Sequence, residues 1–161
     1  VKLIIQRTAG SSKTNRKATW ENIPGQGEWI SAEFTDFGSY QALVDLEPPV
    51  LQAWPGVDTV NLSGARRIAF TPTDNFGIKS FRAELNGKWL RFTNDKARTW
   101  IYEFDERCPF GTHELKVTVE DIAGNITTRT WWFKRYKYTP PPPKKKKPVT
   151  KKSAKKPTRK K

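Results

Sequence analysis

Hydrophobic positions in this chain recur at every second residue. Runs such as VKLIIQR, SYQALVD, RRIAF, SFRAEL, TWIYEF, THELKVTVE and ITTRTWWF alternate or carry β-branched residues, and clusters of Gly, Pro, Asn and Asp separate them. A period of two is that of a strand with one buried face, and no stretch keeps a helical period for three turns. The pattern predicts an all-β chain. In the first third, strands are expected at VKLIIQR, KATW, WISAEF and SYQALVD, with turns at AGSSKTN, NIPGQGE and TDFG. Glu47-Pro48-Pro49 interrupts this series, because neither proline can donate to a ladder and each restrains the residue before it. Residues 1–47 are therefore read as a small N-terminal β module, and residues 48–138 as an antiparallel β-sandwich of about seven short strands.

Within the second part, Asn86-Gly87 is a strong hairpin signal, since a two-residue turn needs positive φ at both central positions. It fixes a register: Leu85 opposite Lys88, Ala83 opposite Leu90 and Phe81 opposite Phe92 on the core face. Glu84 opposite Trp89 and Arg82 opposite Arg91 fall on the other face. Alternation likewise turns Trp100, Tyr102 and Phe104 inward on one strand and Leu115, Val117 and Val119 inward on another, with Ile68 and Phe70 facing them. Trp131 and Trp132 are adjacent, so one belongs to the core and the other is available.

The end of the chain differs sharply in composition. Residues 139–161 contain Pro, Lys, Arg and a few small residues, and cannot bury a core; a disordered basic tail is expected. The tail holds 11 of the 30 basic residues, leaving 19 against 16 acidic ones in residues 1–139. The net charge of +14 is thus mostly a property of the tail, whose cationic run begins at Lys144, Lys145, Lys146 and Lys147. Such a run collects polyanions by counterion release, with nucleic acid, anionic lipid headgroups and envelope polymers as partners, or it serves only as a solubilising tether. No apolar run approaches the length of a membrane span, and no signal-peptide core opens the chain. The absence of Met, even at position 1, suggests an excised or processed segment.

The chemistry of catalysis is sparse. One histidine, His113, and one cysteine, Cys108, cannot assemble a zinc site, and no G-x-S-x-G, Walker or dinucleotide motif is present. Asp105 and Glu106 beside Pro109 and Gly111 read as a solvated turn, and Cys108 as a small apolar filler. An enzyme is not expected.

Two turns carry more interest. Asp74-Asn75-Phe76-Gly77 and Asp121-Ile122-Ala123-Gly124-Asn125 follow strands whose loops lie at the same end of a sandwich. Asp74, Asn75, Asp121 and Asn125 would bring carboxylate and amide oxygens together, the donor set of a calcium ion, although each Asp also suffices to cap its own turn. No other cofactor is expected. Trp20, Trp29, Trp54, Trp89 and one of Trp131 and Trp132 could offer stacking surface, and Trp89 next to Arg82 and Arg91 suits a cation–π cluster.

With D-x-x-G-I-K-S at Asp74–Ser80, NGKW at Asn86–Trp89 and V-x-D-x-x-G-N-x-T at Val119–Thr127, the second part resembles bacterial immunoglobulin-like domains of envelope proteins. The run from VKLIIQRTAG through WISAEFTDFGSYQALVDLEPPV resembles the region that follows the catalytic domain in lysostaphin-type (LytM-type) murein endopeptidases of Bacteroidetes-type bacteria. The resemblance covers roughly residues 1–135 and rests most on F-G-S-Y-Q followed by D-x-x-P-P. It implies an immunoglobulin-like accessory region in the periplasm or envelope. Its partners would be an upstream catalytic domain of the same polypeptide and peptidoglycan or another anionic polymer. The zinc ligands of that family have no counterpart here. The expected function is to position or stabilise the catalytic part; the alternative is polyanion binding through the tail.

Overall fold

The structure, a computed structural model, describes residues 2–52, 59–95 and 98–140. Among them every regular element is a strand. β1 (Leu3–Ala9) and β2 (Ser12–Lys17) form a hairpin, β3 (Thr19–Ile23) and β4 (Gly27–Ser31) form another, and β5 (Ser39–Val44) returns to the free side of β1. The three-stranded sheet has the order β2-β1-β5 and is antiparallel throughout. Here one expectation fails. The stretch Ser12–Asn15, read as part of a turn, lies in β2, and only Gly10-Ser11 turns the chain. β2 has no alternating apolar face to betray it, because its sequence SKTNRK is polar throughout and its place is set by backbone pairing to β1.

The second part contains β6 (Thr59–Asn61), β7 (Arg67–Phe70), β8 (Ile78–Leu85), β9 (Lys88–Leu90), β10 (Thr93–Asp95), β11 (Thr99–Glu103), β12 (Gly111–Asp121) and β13 (Ile126–Arg135). One sheet has the order β6-β13-β12-β8-β9, the other β10-β11-β7. Asn86 and Gly87 both have positive φ, at 50° and 76°, and the ladder pairs Leu85 with Lys88, Glu84 with Trp89 and Ala83 with Leu90 as expected. The pairing stops at Leu90: the chain leaves the sheet at Arg91 and enters β10 of the other sheet, so Arg82–Arg91 and Phe81–Phe92 are not ladder pairs. Phe81 and Phe92 still meet in the core, with ring centroids 5.3 Å apart. A second departure is β6, which runs parallel to β13.

The core lies between the two sheets. Ile68, Phe70, Ala83, Leu85, Leu90, Tyr102, Cys108, Leu115, Val117, Val119 and Phe133 are buried, and Trp131 packs on them by stacking against Phe70 at 5.1 Å. Trp100 stacks on Phe81 at 5.2 Å, and Tyr102 meets Phe92 at 5.6 Å. On β12 the inward series His113, Leu115, Val117, Val119 continues without a break to Asp121, so the strand's period carries an acid to the end of the buried face.

Candidate functional site: three carboxylates at one end of the sandwich

The β12–β13 turn is built by Asp121. Its Oδ1 accepts from the backbone N–H groups of Gly124 (2.7 Å) and Asn125 (2.8 Å), and Gly124 takes a positive φ of 92° that closes the turn. The β7–β8 turn repeats the device: Asp74 Oδ1 accepts from Phe76 and Gly77 N–H, both at 2.9 Å. The turns are tied together, since Ile122 N–H donates to the Gly77 carbonyl at 3.1 Å. A register irregularity between Glu120 and Asp121 leaves Lys79 as the extra residue of β8, so Asp121 pairs with Ile78 and points at the neighbouring turn.

A third segment completes the arrangement. After β5, Asp45 N–H donates to the Lys2 carbonyl at 3.0 Å, and Asp45 Oδ1 accepts from Glu47 N–H at 3.1 Å. The chain then runs along the sandwich: Asn125 Nδ2 donates to the Glu47 carbonyl (3.2 Å), Thr127 Oγ1 to the Pro49 carbonyl (2.6 Å), and Val50 and Thr73 exchange backbone hydrogen bonds. From the N-terminal sheet, Lys2 Nζ donates to the Gly124 carbonyl and Asn15 Nδ2 to the Phe76 carbonyl, each at 2.7 Å. This web seats the sheet on the two Asp turns.

As a result Asp45, Asp74 and Asp121 converge, each offering a carboxylate oxygen within 4.8 Å of the others. Asp45 is 1% exposed and Asp121 0%, while Asp74 is half-buried and lines an open groove of about 430 Å³ with Asn75, Phe76, Asn94 and Trp100. Burial, above all, raises the Asp74 carboxyl above the usual carboxylate range; its two backbone donors oppose that, and the Asp121 and Asp45 charges add to it. The four residues expected from sequence divide accordingly. Asp74 and Asp121 are together, Asn125 is buried at 7% beside them and spends its amide N–H on Glu47, and Asn75 is exposed with Nδ2 3.5 Å from Asp45 Oδ1. Asp45 was not anticipated; the signal that bears on it is the D-x-x-P-P run, which ends one sheet and carries the chain directly to Thr73.

The other candidates fall apart by face. Trp89 is 62% exposed and Trp132 48%, whereas Trp131 is half-buried and packs on the core against Phe70. Arg82, expected beside Trp89, pairs instead with Glu84 at 2.9 Å. Trp20 and Trp29 are exposed on the β3–β4 hairpin. Trp54 and the lysines Lys144, Lys145, Lys146 and Lys147 lie outside the described residues. His113 is a structural residue: Nδ1 is 2.9 Å from Asn86 Nδ2 and Nε2 2.8 Å from the Pro109 carbonyl, so a neutral ring satisfies both contacts. Cys108 is fully buried, as a small filler, and burial raises its thiol.

No helix among the described residues is long and apolar enough to cross a membrane. Comparison with curated proteins finds no match. Residues 68–134, from β7 to the end of β13, match the family model described as Bacterial Ig-like domain, and such a match indicates an accessory domain of a kind that is typically non-catalytic.

Proposed function

We propose that the chain is a non-catalytic accessory region of a bacterial cell-envelope protein, in which the sandwich and its docked N-terminal sheet position or steady a neighbouring domain. The observation that carries this reading is the match of residues 68–134 to a bacterial immunoglobulin-like domain, a class often found outside the cell or at the envelope. The motif resemblance of residues 1–135 supports the finer reading, a murein peptidase as the neighbour and peptidoglycan as a contact. Trp89 and Trp132, among the exposed aromatic residues, offer ring surface for such a contact. Cosedimentation of the chain with purified sacculi tests it. Retention that survives replacement of residues 140–161 by an uncharged linker is expected; its absence removes wall contact and leaves a spacer.

The concentration of 11 of the 30 basic residues in residues 140–161 favours a second reading, polyanion binding by the tail. Under it, deleting these residues abolishes binding to DNA or anionic vesicles, and the affinity of the intact chain falls steeply with salt. Unchanged affinity after deletion rejects it.

A further inference from the structure

We propose that Asp45, Asp74 and Asp121 form a calcium site that fastens the N-terminal sheet to the sandwich. The inference goes beyond the accessory role and does not depend on it. It starts from two atoms: Asp45 Oδ2 and Asp121 Oδ2 are buried and have no hydrogen-bond partner. Buried acids normally find a donor or a cation, because an unpaired charge away from water is costly. Among the described residues, the ion pairs engage Asp36, Glu84, Asp105 and Glu120, and none of the three clustered acids. Lys2 and Lys17 reach the β12–β13 turn from the N-terminal sheet, but the Lys2 ammonium donates to the Gly124 carbonyl, and Lys17 is not ion-paired with the cluster.

The geometry suits one cation. Each carboxylate is already held through Oδ1 by backbone N–H groups of its own turn, which orients the side chain and leaves the Oδ2 atoms of Asp45 and Asp121 free. Oxygens sharing a calcium ion at about 2.4 Å can lie at most about 4.8 Å apart, and the three donors fall within 4.8 Å. An all-oxygen set with three carboxylates favours a hard cation, and calcium over magnesium because it accepts irregular geometry and a higher ligand number. The Asn75 amide, 3.5 Å from Asp45 Oδ1, can supply a further oxygen by turning over, and the groove at Asp74 gives water and ion a way in. The donors come from the end of β5, the β7–β8 turn and the β12–β13 turn. Full coordination is therefore available only when the two parts are docked.

The test uses the full chain, chelator-treated and then titrated with calcium chloride or magnesium chloride at matched ionic strength. Calcium at 10 mM is expected to raise the melting temperature by on the order of 5 °C, with calorimetric heat for one site, and magnesium to do less than half of this. Asp45→Asn keeps the Oδ1 acceptor while removing one negative charge. It is expected to melt no lower than the metal-free parent and to lose the calcium shift, while Asp36→Asn, at an acid paired with Arg7 and outside the cluster, keeps it. No heat and no shift with calcium, an equal shift with magnesium, or a full shift in Asp45→Asn each overturns the proposal. If Asp45→Asn fails to fold, Asp74→Asn takes its place, and calorimetry on the unaltered chain decides.

Discussion

Tyr102 puts its ring in the core while its hydroxyl donates to Asp105 Oδ1, and this one contact moves two titrations in opposite directions. The Asp105 carboxyl is held below its usual range, first by the Tyr102 hydroxyl and then by the Arg107 N–H. The phenol is pushed well above its usual range, first by burial and then by the bond to Asp105. For Asp105, a lowered folded value gives stabilisation that is complete above the ordinary carboxylate pKa of about 4 and lost as pH falls through the lowered value. For Tyr102, a raised folded value gives stabilisation that is complete below about pH 10 and lost as pH rises further, because only the unfolded chain can then ionise. Tyr102→Phe should accordingly lose stability at neutral pH and converge with the parent in acid. Urea midpoints of both proteins between pH 7 and pH 2 measure this, and a gap that does not close in acid would contradict it. His113 carries the same lesson for function: the residue type that sequence inspection checks first for catalysis has both ring nitrogens occupied by Asn86 and Pro109.

At the level of strands, a clear period made the elements legible. The β8–β9 register followed from Asn86-Gly87 alone, and the inward series on β11 and β12 followed from alternation. Period fails where burial is not the organising force. The polar strand β2 was hidden, and the three-residue β6 gave no hint of direction, because one row of parallel bonds leaves no trace in the side-chain pattern. The exit of the chain from β9 after Leu90 was hidden too, since WLRF keeps alternating while its backbone changes sheet. The face assignment can be tested on the β12–β13 hairpin. Leu115→Ala removes a fully buried side chain and is expected to cost about 2–5 kcal/mol, whereas Trp132→Ala on the outer face should change stability by about 1 kcal/mol or less. Chemical denaturation of the two variants distinguishes them, and equal losses would refute the assignment.

For the molecule as a whole, what matters is how the two parts share one end. Two of the three carboxylates of the candidate site were readable: Asp74 and Asp121 could be placed together because both turns follow strands of one sandwich. Asp45 could not, since its position depends on how residues 46–52 drape across the sandwich, a matter of tertiary docking. The boundary placed at Glu47-Pro48-Pro49 falls in this stretch, whose carbonyls serve as acceptors for Asn125 and Thr127. Thr127→Val keeps the shape of the side chain but withdraws the donor from the Pro49 carbonyl. It is expected to destabilise the chain by about 1–3 kcal/mol and to speed proteolysis within residues 1–52 more than within the sandwich. Mass spectrometry of timed digests reads both, and uniform cleavage would argue that the carbonyl contact does not hold the sheet in place.

The parallel pairing of β6 with β13 bears on what the region does under load. β6 is the first strand of the second part in chain order and β13 the last among the described residues, and the two lie side by side pointing the same way. Lys2 sits at the Gly124 end of the long β12–β13 hairpin, and Arg135 at the Gly111 end, a strand length away. Tension between the two poles would therefore drag β6 and β13 past each other lengthwise. Their hydrogen bonds, with the Leu62 N–H bond to the Lys134 carbonyl beside them, would have to give way together instead of unzipping singly. Under the proposed envelope role, this parallel pairing would oppose stretching of the region along that axis.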